Sequence, residues 1–298
     1  MKKTILVLSA AACMMAACEK LDIPESNESV NNEEVVPGGG SPADGRTFTF
    51  TIKGDFENEM KTRGILSANG SNMTDLWMLD YVGDELVQQV HLTPSDEDFD
   101  APTITLSYAS HHVYIVVSRG TAPTVDSDAH TITWEKVSDT FWKDYTIDVT
   151  SSSTKNRSCT LARMVTKLKI TPTDEIPAGM ASMTVVPSLW YSVLDYKTGE
   201  PVAGGAVERV ISVGDSYAGT TGQLATSIFS LSPATSWSTD VTVNAKDGNG
   251  GVLGSVTMTA VPFVRNRATE MSGGMFAEHS PVSLTLDDAW SDAYVGEW

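Results

Sequence analysis

Cysteine is scarce in this chain, and its placement excludes more than its count. Three Cys occur in 298 residues: Cys13, Cys18 and Cys159. The first two fall at the extreme amino end, so only Cys159 stays in the body. No intramolecular disulfide can staple the fold, and Cys159 reads as a small buried apolar residue. Positive charge is scarce too: 20 Lys and Arg face 38 Asp and Glu, a net charge of −18. That balance excludes a nucleic-acid ligand, which needs a basic face. Histidine is limited to five residues. His111 and His112 are adjacent at the start of a predicted strand, so they point to opposite faces and suit no shared metal, and a strand-end or surface place is expected for them. No G-x-S-x-G elbow occurs. Gly38–Gly40 follows no strand and opens no helix, so it is no phosphate loop. The acidic loop Asp96, Glu97, Asp98, Asp100 lacks the central Gly and distal Glu of a calcium loop. No enzyme, no metal and no cofactor is expected. Long helical periodicity is missing as well; Asp139–Tyr145 admits a single turn at most.

What is present begins with a secretory signal. Lys2 and Lys3 precede the apolar run Ile5–Ala12, which is too short to span a bilayer. Met15-Ala16-Ala17-Cys18 places small residues directly before a Cys at the expected cleavage point. This is a bacterial lipobox. It implies a signal peptide at 1–17 and lipid on Cys18, with several acyl chains for stable anchoring. Residues 18–45 form an acidic tether: Glu19, Asp22, Glu25, Glu28, Glu33, Glu34 and Asp44 oppose a single Lys20, and Pro37-Gly38-Gly39-Gly40 follows. Such a stretch cannot bury enough apolar surface to order itself.

The body then opens on Thr47–Lys53, TFTFTIK, whose Phe48, Phe50 and Ile52 share one face. Period-two alternation with aromatic and β-branched residues is a half-buried strand. Similar runs recur at Thr103–Leu106, His112–Ser118, Leu161–Thr171, Val241–Ala245, Val252–Ala260 and Val282–Leu286. His112–Ser118 is nearly all apolar, as a strand covered on both faces would be. Many short strands with frequent turns define β-sandwiches. One phrase is written twice: LWMLDYVGDELV from Leu76 and LWYSVLDYKTGEPV from Leu189. Read as a duplication, each copy is the second strand of its own sandwich. The polar run Ser151–Ser158 then separates an amino-terminal domain at 46–157 from a carboxy-terminal domain at 158–298.

The carboxy end carries its own pattern. Val282, Leu284 and Leu286 alternate, and Trp290, Tyr294 and Trp298 follow. An idle acidic tail needs no such residues, so this segment is expected to pair with a sheet, either folded back or donated to a neighbour. Of the other tryptophans, Trp77 and Trp190 read as core. Trp134, Trp142 and Trp237 lie near loops and could stack on a sugar.

These pieces, taken in order, resemble the fimbrillin-type (type V) pilus subunits of Bacteroidetes and their minor and anchor branch. The carrying residues are the lipobox at Cys18, the strand TFTFTIKG, Arg63 within Lys61-Thr62-Arg63-Gly64, the Leu76–Val87 hairpin, the segment Leu161-Ala162-Arg163-Met164-Val165-Thr166-Lys167-Leu168, Arg265-Asn266-Arg267, and the ending Gly296-Glu297-Trp298. The resemblance implies an all-β chain of two tandem transthyretin-like sandwiches without catalysis, lipid-anchored and surface-exposed on the outer membrane. It implies partners that are other fimbrial subunits, joined by strand addition. On that reading an Arg-specific protease cuts after Arg63, the strand bearing Phe48, Phe50 and Ile52 leaves, and a neighbour's carboxy-terminal strand (Val282, Leu284, Leu286, Trp290, Trp298) fills the groove. An anchor subunit would keep its first strand and its lipid. A second class stands beside it: a surface lipoprotein that binds a glycan or a host or bacterial surface protein through its loops.

Overall fold

The computed structural model describes residues 45–54, 73–202, 204–276 and 282–287. Cys18, Arg63, Trp290 and Trp298 lie outside the described residues. Strand alternation dominates everything within them. The single helical element among them is one 3-10 turn, Asp215–Tyr217.

The first sandwich uses β1 (Gly45–Gly54), β2 (Asp75–Val82), β3 (Glu85–Leu92), β4 (Thr103–Ser107) and β5 (Ser110–Ser118). Two short strands, β6 (Thr124–Asp126) and β7 (Thr131–Thr133), leave it for a separate sheet. The chain then returns through β8 (Thr140–Asp148) and β9 (Asn156–Arg163). The single turn admitted at Asp139–Tyr145 is part of β8 instead, because Phe141 and Ile147 are needed in the core. The order is β3-β2-β5-β8-β9-β1-β4. β8 and β9 join through only two register pairs, Phe141 with Arg163 and Trp142 with Ala162, so the sheet folds over on itself there. Phe48, Phe50, Ile52, Cys159 and Leu161 from one half meet Leu76, Met78, Val113, Ile115 and Val117 from the other. The β2–β3 hairpin closes on Gly83 at φ +62°, a conformation that costs glycine nothing.

The second sandwich follows with β10 (Val165–Pro172), β11 (Met180–Pro187), the short β12 (Val193–Asp195) and β13 (Glu200–Pro201), then β14 (Arg209–Ser212), β15 (Thr226–Leu231), β16 (Trp237–Asp247), β17 (Val252–Phe263), β18 (Ala268–Gly273) and β19 (Val282–Asp287). Its sheets run β15-β10-β18-β19 and β14-β11-β16-β17. Both sandwiches follow one plan. β1 lies between antiparallel β4 and parallel β9; β10 lies between antiparallel β15 and parallel β18. β2 lies between β3 and β5; β11 lies between β14 and β16.

The repeated phrase is not that duplication. Its first copy is β2, but the second strand of the second sandwich is β11, which ends at Pro187 before the phrase begins. The second copy instead builds β12 and β13. These pair with β7 and β6 of the first half in the order β13-β12-β7-β6, a small sheet that spans the two sandwiches. The two Leu-Asp-Tyr segments then meet. Leu79, Tyr81, Leu194 and Tyr196 are buried together in a third core with Tyr114, Val116, Ile132, Trp134 and Leu231, and the Tyr81 and Tyr196 hydroxyls are 2.7 Å apart. β5 is therefore covered on both faces, as its composition implies: Val113, Ile115 and Val117 face the first core, and Tyr114 and Val116 the third.

The strands also move the chain's crossing point. Position 157/158 falls inside β9, whose Asn156–Leu161 pair with Thr49–Gly54 of β1. The run Leu161–Thr171 is two strands rather than one, with Met164 as the single residue between β9 and β10. Polar Ser151–Ser158 suggested a linker, but Cys159, Leu161 and Arg163 of β9 are buried.

Candidate strand-exchange elements

β1 is an interior strand. Gly45–Thr49 pair antiparallel with Thr103–Ser107, and Thr49–Gly54 pair parallel with Asn156–Leu161. Phe48, Phe50 and Ile52 are 0%, 1% and 2% exposed. Tyr145 packs edge-on against Phe50 at 5.2 Å, and the Arg157 guanidinium lies over the Phe48 ring. Burying three such side chains contributes roughly 1.5–3 kcal/mol each. If β1 left, β4 and β9 would face an apolar groove with unpaired backbone on both walls.

β19 is different in kind. It is an edge strand, paired antiparallel with β18 from Val282 opposite Gly273 to Asp287 opposite Ala268. Leu284 is exposed and Leu286 half-buried, so its hold on the body is mainly backbone pairing. Ser283 and Ser272 add a hydroxyl contact of 2.8 Å. Phe48, Phe50 and Ile52 thus lie in the first sandwich and Leu284 and Leu286 on the second.

The histidines hold polar pairs inside or beside the sheets. His112 is partly exposed and lies 3.1 Å from Asp144. His91 stacks on Trp77 at 3.9 Å and contacts Asp75 at 2.9 Å. His111 departs from the expected surface place: it is fully buried, with Nδ1 2.8 Å from Asp80 Oδ1. Ser107 Oγ lies 3.3 Å from Nε2, giving the order of an acid–base–nucleophile triad. Yet Nε2 is also 3.0 Å from the Ser107 carbonyl oxygen, which can only accept. A hydrogen on Nε2 would go to that carbonyl and leave no acceptor there for the Ser107 hydroxyl. The pair is structural. Among the described residues no cluster of three or more His, Cys, Asp or Glu could hold a metal. In the acidic loop, the Thr93 backbone N–H and then its hydroxyl hold the Asp96 carboxyl below its ordinary range. Burial pushes the Cys159 thiol up to about 11, so it is inert.

Burial raises the Asp80 carboxyl above its ordinary value, and His111 only partly offsets that. The folded chain therefore holds the Asp80 proton more tightly than the unfolded chain does. This contribution to stability is complete below pH 3.8 and falls as pH rises from there through the folded value. Asp80→Asn should flatten this part of the stability curve, read as urea midpoints from pH 4 to 7. An unchanged slope in the variant would assign it to another group.

Among the described residues, the three loop-proximal tryptophans are engaged in packing or hydrogen bonds. Trp134 is 1% exposed. The Trp142 indole N–H donates to the Tyr196 carbonyl at 2.7 Å, and that of Trp237 to Ser232 Oγ at 3.0 Å. Trp237 also stacks on Phe263. The sequence did not disclose the Asp80–His111 pair, the Tyr81–Tyr196 contact or the buried Arg163. The repeated Leu-Asp-Tyr was a signal for the second of these, but its spacing does not say that the two copies touch.

This geometry defines a class: tandem β-sandwiches fused through a third core. Solved structures share it. One, described provisionally as an adhesin of Bacteroides ovatus, is 12% identical, covers 85% of this chain and 95% of its own, and superposes with a TM-score of 0.51. Another, described provisionally as a polysaccharide-binding protein of Bacteroides thetaiotaomicron, is 7% identical over 82% of this chain and 96% of its own, with a TM-score of 0.51. A fimbrial assembly protein of Parabacteroides distasonis is 10% identical over 82% and 99%, with a TM-score of 0.44. No protein-family model and no curated protein matches the sequence. At these identities the likeness to the first two speaks for the fold alone, an all-β sandwich fold as the fimbrillin resemblance implied.

Proposed function

We propose that the protein is a surface-exposed outer-membrane lipoprotein that serves as a fimbrial subunit, in a minor or anchor position, and assembles by β-strand exchange. One observation carries the reading: β1 is an interior strand with three buried apolar side chains, so its departure leaves a groove that only another alternating strand can fill. The lipobox at Cys18 supplies the membrane partner, Arg63 the candidate cleavage point, and the alternating Val282, Leu284 and Leu286 the candidate donor. The adhesin description of the Bacteroides ovatus neighbour agrees with a surface role.

Mass spectrometry of the mature amino terminus on cells tests this reading. An acylated Cys18 marks a retained anchor; a start at Gly64 marks a polymerised subunit. Cys18→Ser should leave the precursor uncleaved and unlabelled by palmitate. Normal lipid labelling of Cys18→Ser would remove the anchor from the reading. A mature terminus at neither position, with no incorporation into fibres, would remove the reading itself.

A further inference from the structure

The two sandwiches end differently at one seam. In the first, β8 and β9 join through Phe141–Arg163 and Trp142–Ala162. Among the described residues, no other strand lies on that edge of β9. The counterparts in the second are β17 and β18. These lie in separate sheets, and the edge of β18 carries β19 instead. Register gives the matching positions. Leu161 pairs with Gly54 at the end of β1, and Gly273 with Pro172 at the end of β10, so Arg163 corresponds to Met275. There β17 already touches the chain just past β18: a Cβ on Gly254 would meet the Met275 carbonyl oxygen at 2.5 Å. Gly254 thus stands where Phe141 stands in the first sandwich. Asp174 fixes this end of the seam, its Oδ2 accepting from the Met275 and Phe276 N–H groups at 2.8 and 2.7 Å.

Beyond that contact β17 and β18 are not bonded, and Ile170, Val243, Val256 and Met271 line the gap. β17 shifts register against β16 at two places, but between the shifts Gly254–Met258 run in step with Ala245–Val241. Facing them, Met271–Met275 read Met-Ser-Gly-Gly-Met. Neither stretch is charged, so their meeting strips water from no ion. Gly273 and Gly274 allow a close backbone approach. β19 holds the edge of β18 from Ala268 to Gly273, yet its Leu284 is 37% exposed.

We propose that β17 and β19 are alternative partners for the edge of β18. When β19 leaves, Gly254–Met258 pair antiparallel with Met271–Met275 and close the second sandwich, as β8 and β9 close the first. The new rungs satisfy the backbone groups that β19 gives up and cover Val256 and Met271. The first sandwich shows the side-chain contact to expect, since Tyr145 of β8 packs on Phe50 of β1 at 5.2 Å. Met258 and Leu168 are the matching pair. Val282–Asp287 can then pair with another chain while the body behind them stays closed. The reason for β19 to leave rests on the fimbrial reading; the change of partner on β18 does not.

Two introduced cysteines test the closure. Thr257 and Ser272 fall opposite each other in the closed form, whereas Ser272 now meets Ser283 of β19 at 2.8 Å. Opposed antiparallel positions have Cα atoms about 4.5–5.5 Å apart, a span that a disulfide accepts. The full-length chain with Thr257→Cys and Ser272→Cys should keep both thiols under mild oxidation. The same chain ending at Pro281 should form the disulfide, identified by peptide mapping. Leu284→Pro in the full-length chain should act as the truncation does, because it breaks β19 without shortening the chain. Amide protection across Gly254–Met258 should rise in both, as a free edge becomes a bonded one. A truncated chain whose second sandwich unfolds, or which stays folded without the disulfide, overturns the proposal. So does a disulfide that forms equally in the full-length chain, since β19 would then guard nothing. A chain that closes as described yet never enters a fibre counts against the fimbrial reading alone.

Discussion

A chain carrying Phe48→Ala and Phe50→Ala is expected to lose its first sandwich, while the second keeps its strand content. Both rings are buried, at 0% and 1% exposure, in a core shared with Leu76, Met78, Val113 and Leu106. Truncating a buried Phe costs about 3–5 kcal/mol, the lost transfer energy plus the cavity left behind. Two such losses approach or exceed the about 5–15 kcal/mol that holds a domain together. Adding a peptide of sequence 45–54 in trans should restore part of the signal, because the groove between β4 and β9 is defined by backbone pairing as well as by side chains. Circular dichroism with and without peptide, and urea midpoints of the single variants, measure both effects. A double variant that melts within a few degrees of wild type would show that β1 is dispensable, and strand exchange would lose its physical basis.

That strand was fully legible in the sequence. TFTFTIK has one period and one apolar face, and no competing element claims it. His112–Ser118 was legible for the same reason, since a run apolar at every position must be covered on both sides. The sandwich class followed from turns and strand lengths; the count of two was read from the repeated phrase, which is not the duplication. What escaped the sequence was everything decided by long-range contact. The phrase at Leu189 has the residues of a strand followed by a hairpin, and so it has. The hairpin joins β7 rather than β11, and only the fold brings residues 131–133 beside 193–195. Gly199 illustrates the point. Its φ of +68° fits any tight turn, but a Cβ there would meet the Trp142 ring at 2.7 Å, a close approach that composition cannot reveal. β9 was split between domains because its flank is polar, although its inward positions alternate. The donor pattern at Val282–Leu286 was legible as a strand, and its edge position was not.

Arg163→Ala is expected to be the most damaging single change at the junction, at about 3–5 kcal/mol. Arg163 is 1% exposed and Asp139 2% exposed. Nε and Nη2 donate to the two Asp139 oxygens at 2.8 and 3.0 Å, Nη1 donates to Asn266 Oδ1 at 3.3 Å, and the guanidinium lies over the Phe141 ring at 5.1 Å. The fork therefore joins the last strand of the first sandwich to the turn that precedes β18 in the second. Burying both charges is costly, and their pairing does little more than repay that cost. Removing one partner is worse, because it strands the other charge in the interior. Arg163→Lys should fare little better, since an ammonium cannot reproduce the planar bidentate contact. The control is Arg163→Met combined with Asp139→Asn, which removes both charges together and should recover at least half of the loss. Calorimetry distinguishes the cases. For a body of this size each kcal/mol moves the midpoint by about 2–4 °C, so the single variant should fall by roughly 6–20 °C and the double by clearly less. The wild-type chain should melt in one transition, because the small sheet and the Tyr81–Tyr196 core bind the sandwiches to each other. In Arg163→Ala the transition should broaden or split as that coupling weakens. A single variant that costs less than about 1 kcal/mol, or a double variant worse than either single change, would mean that the pair is held by something other than its charges.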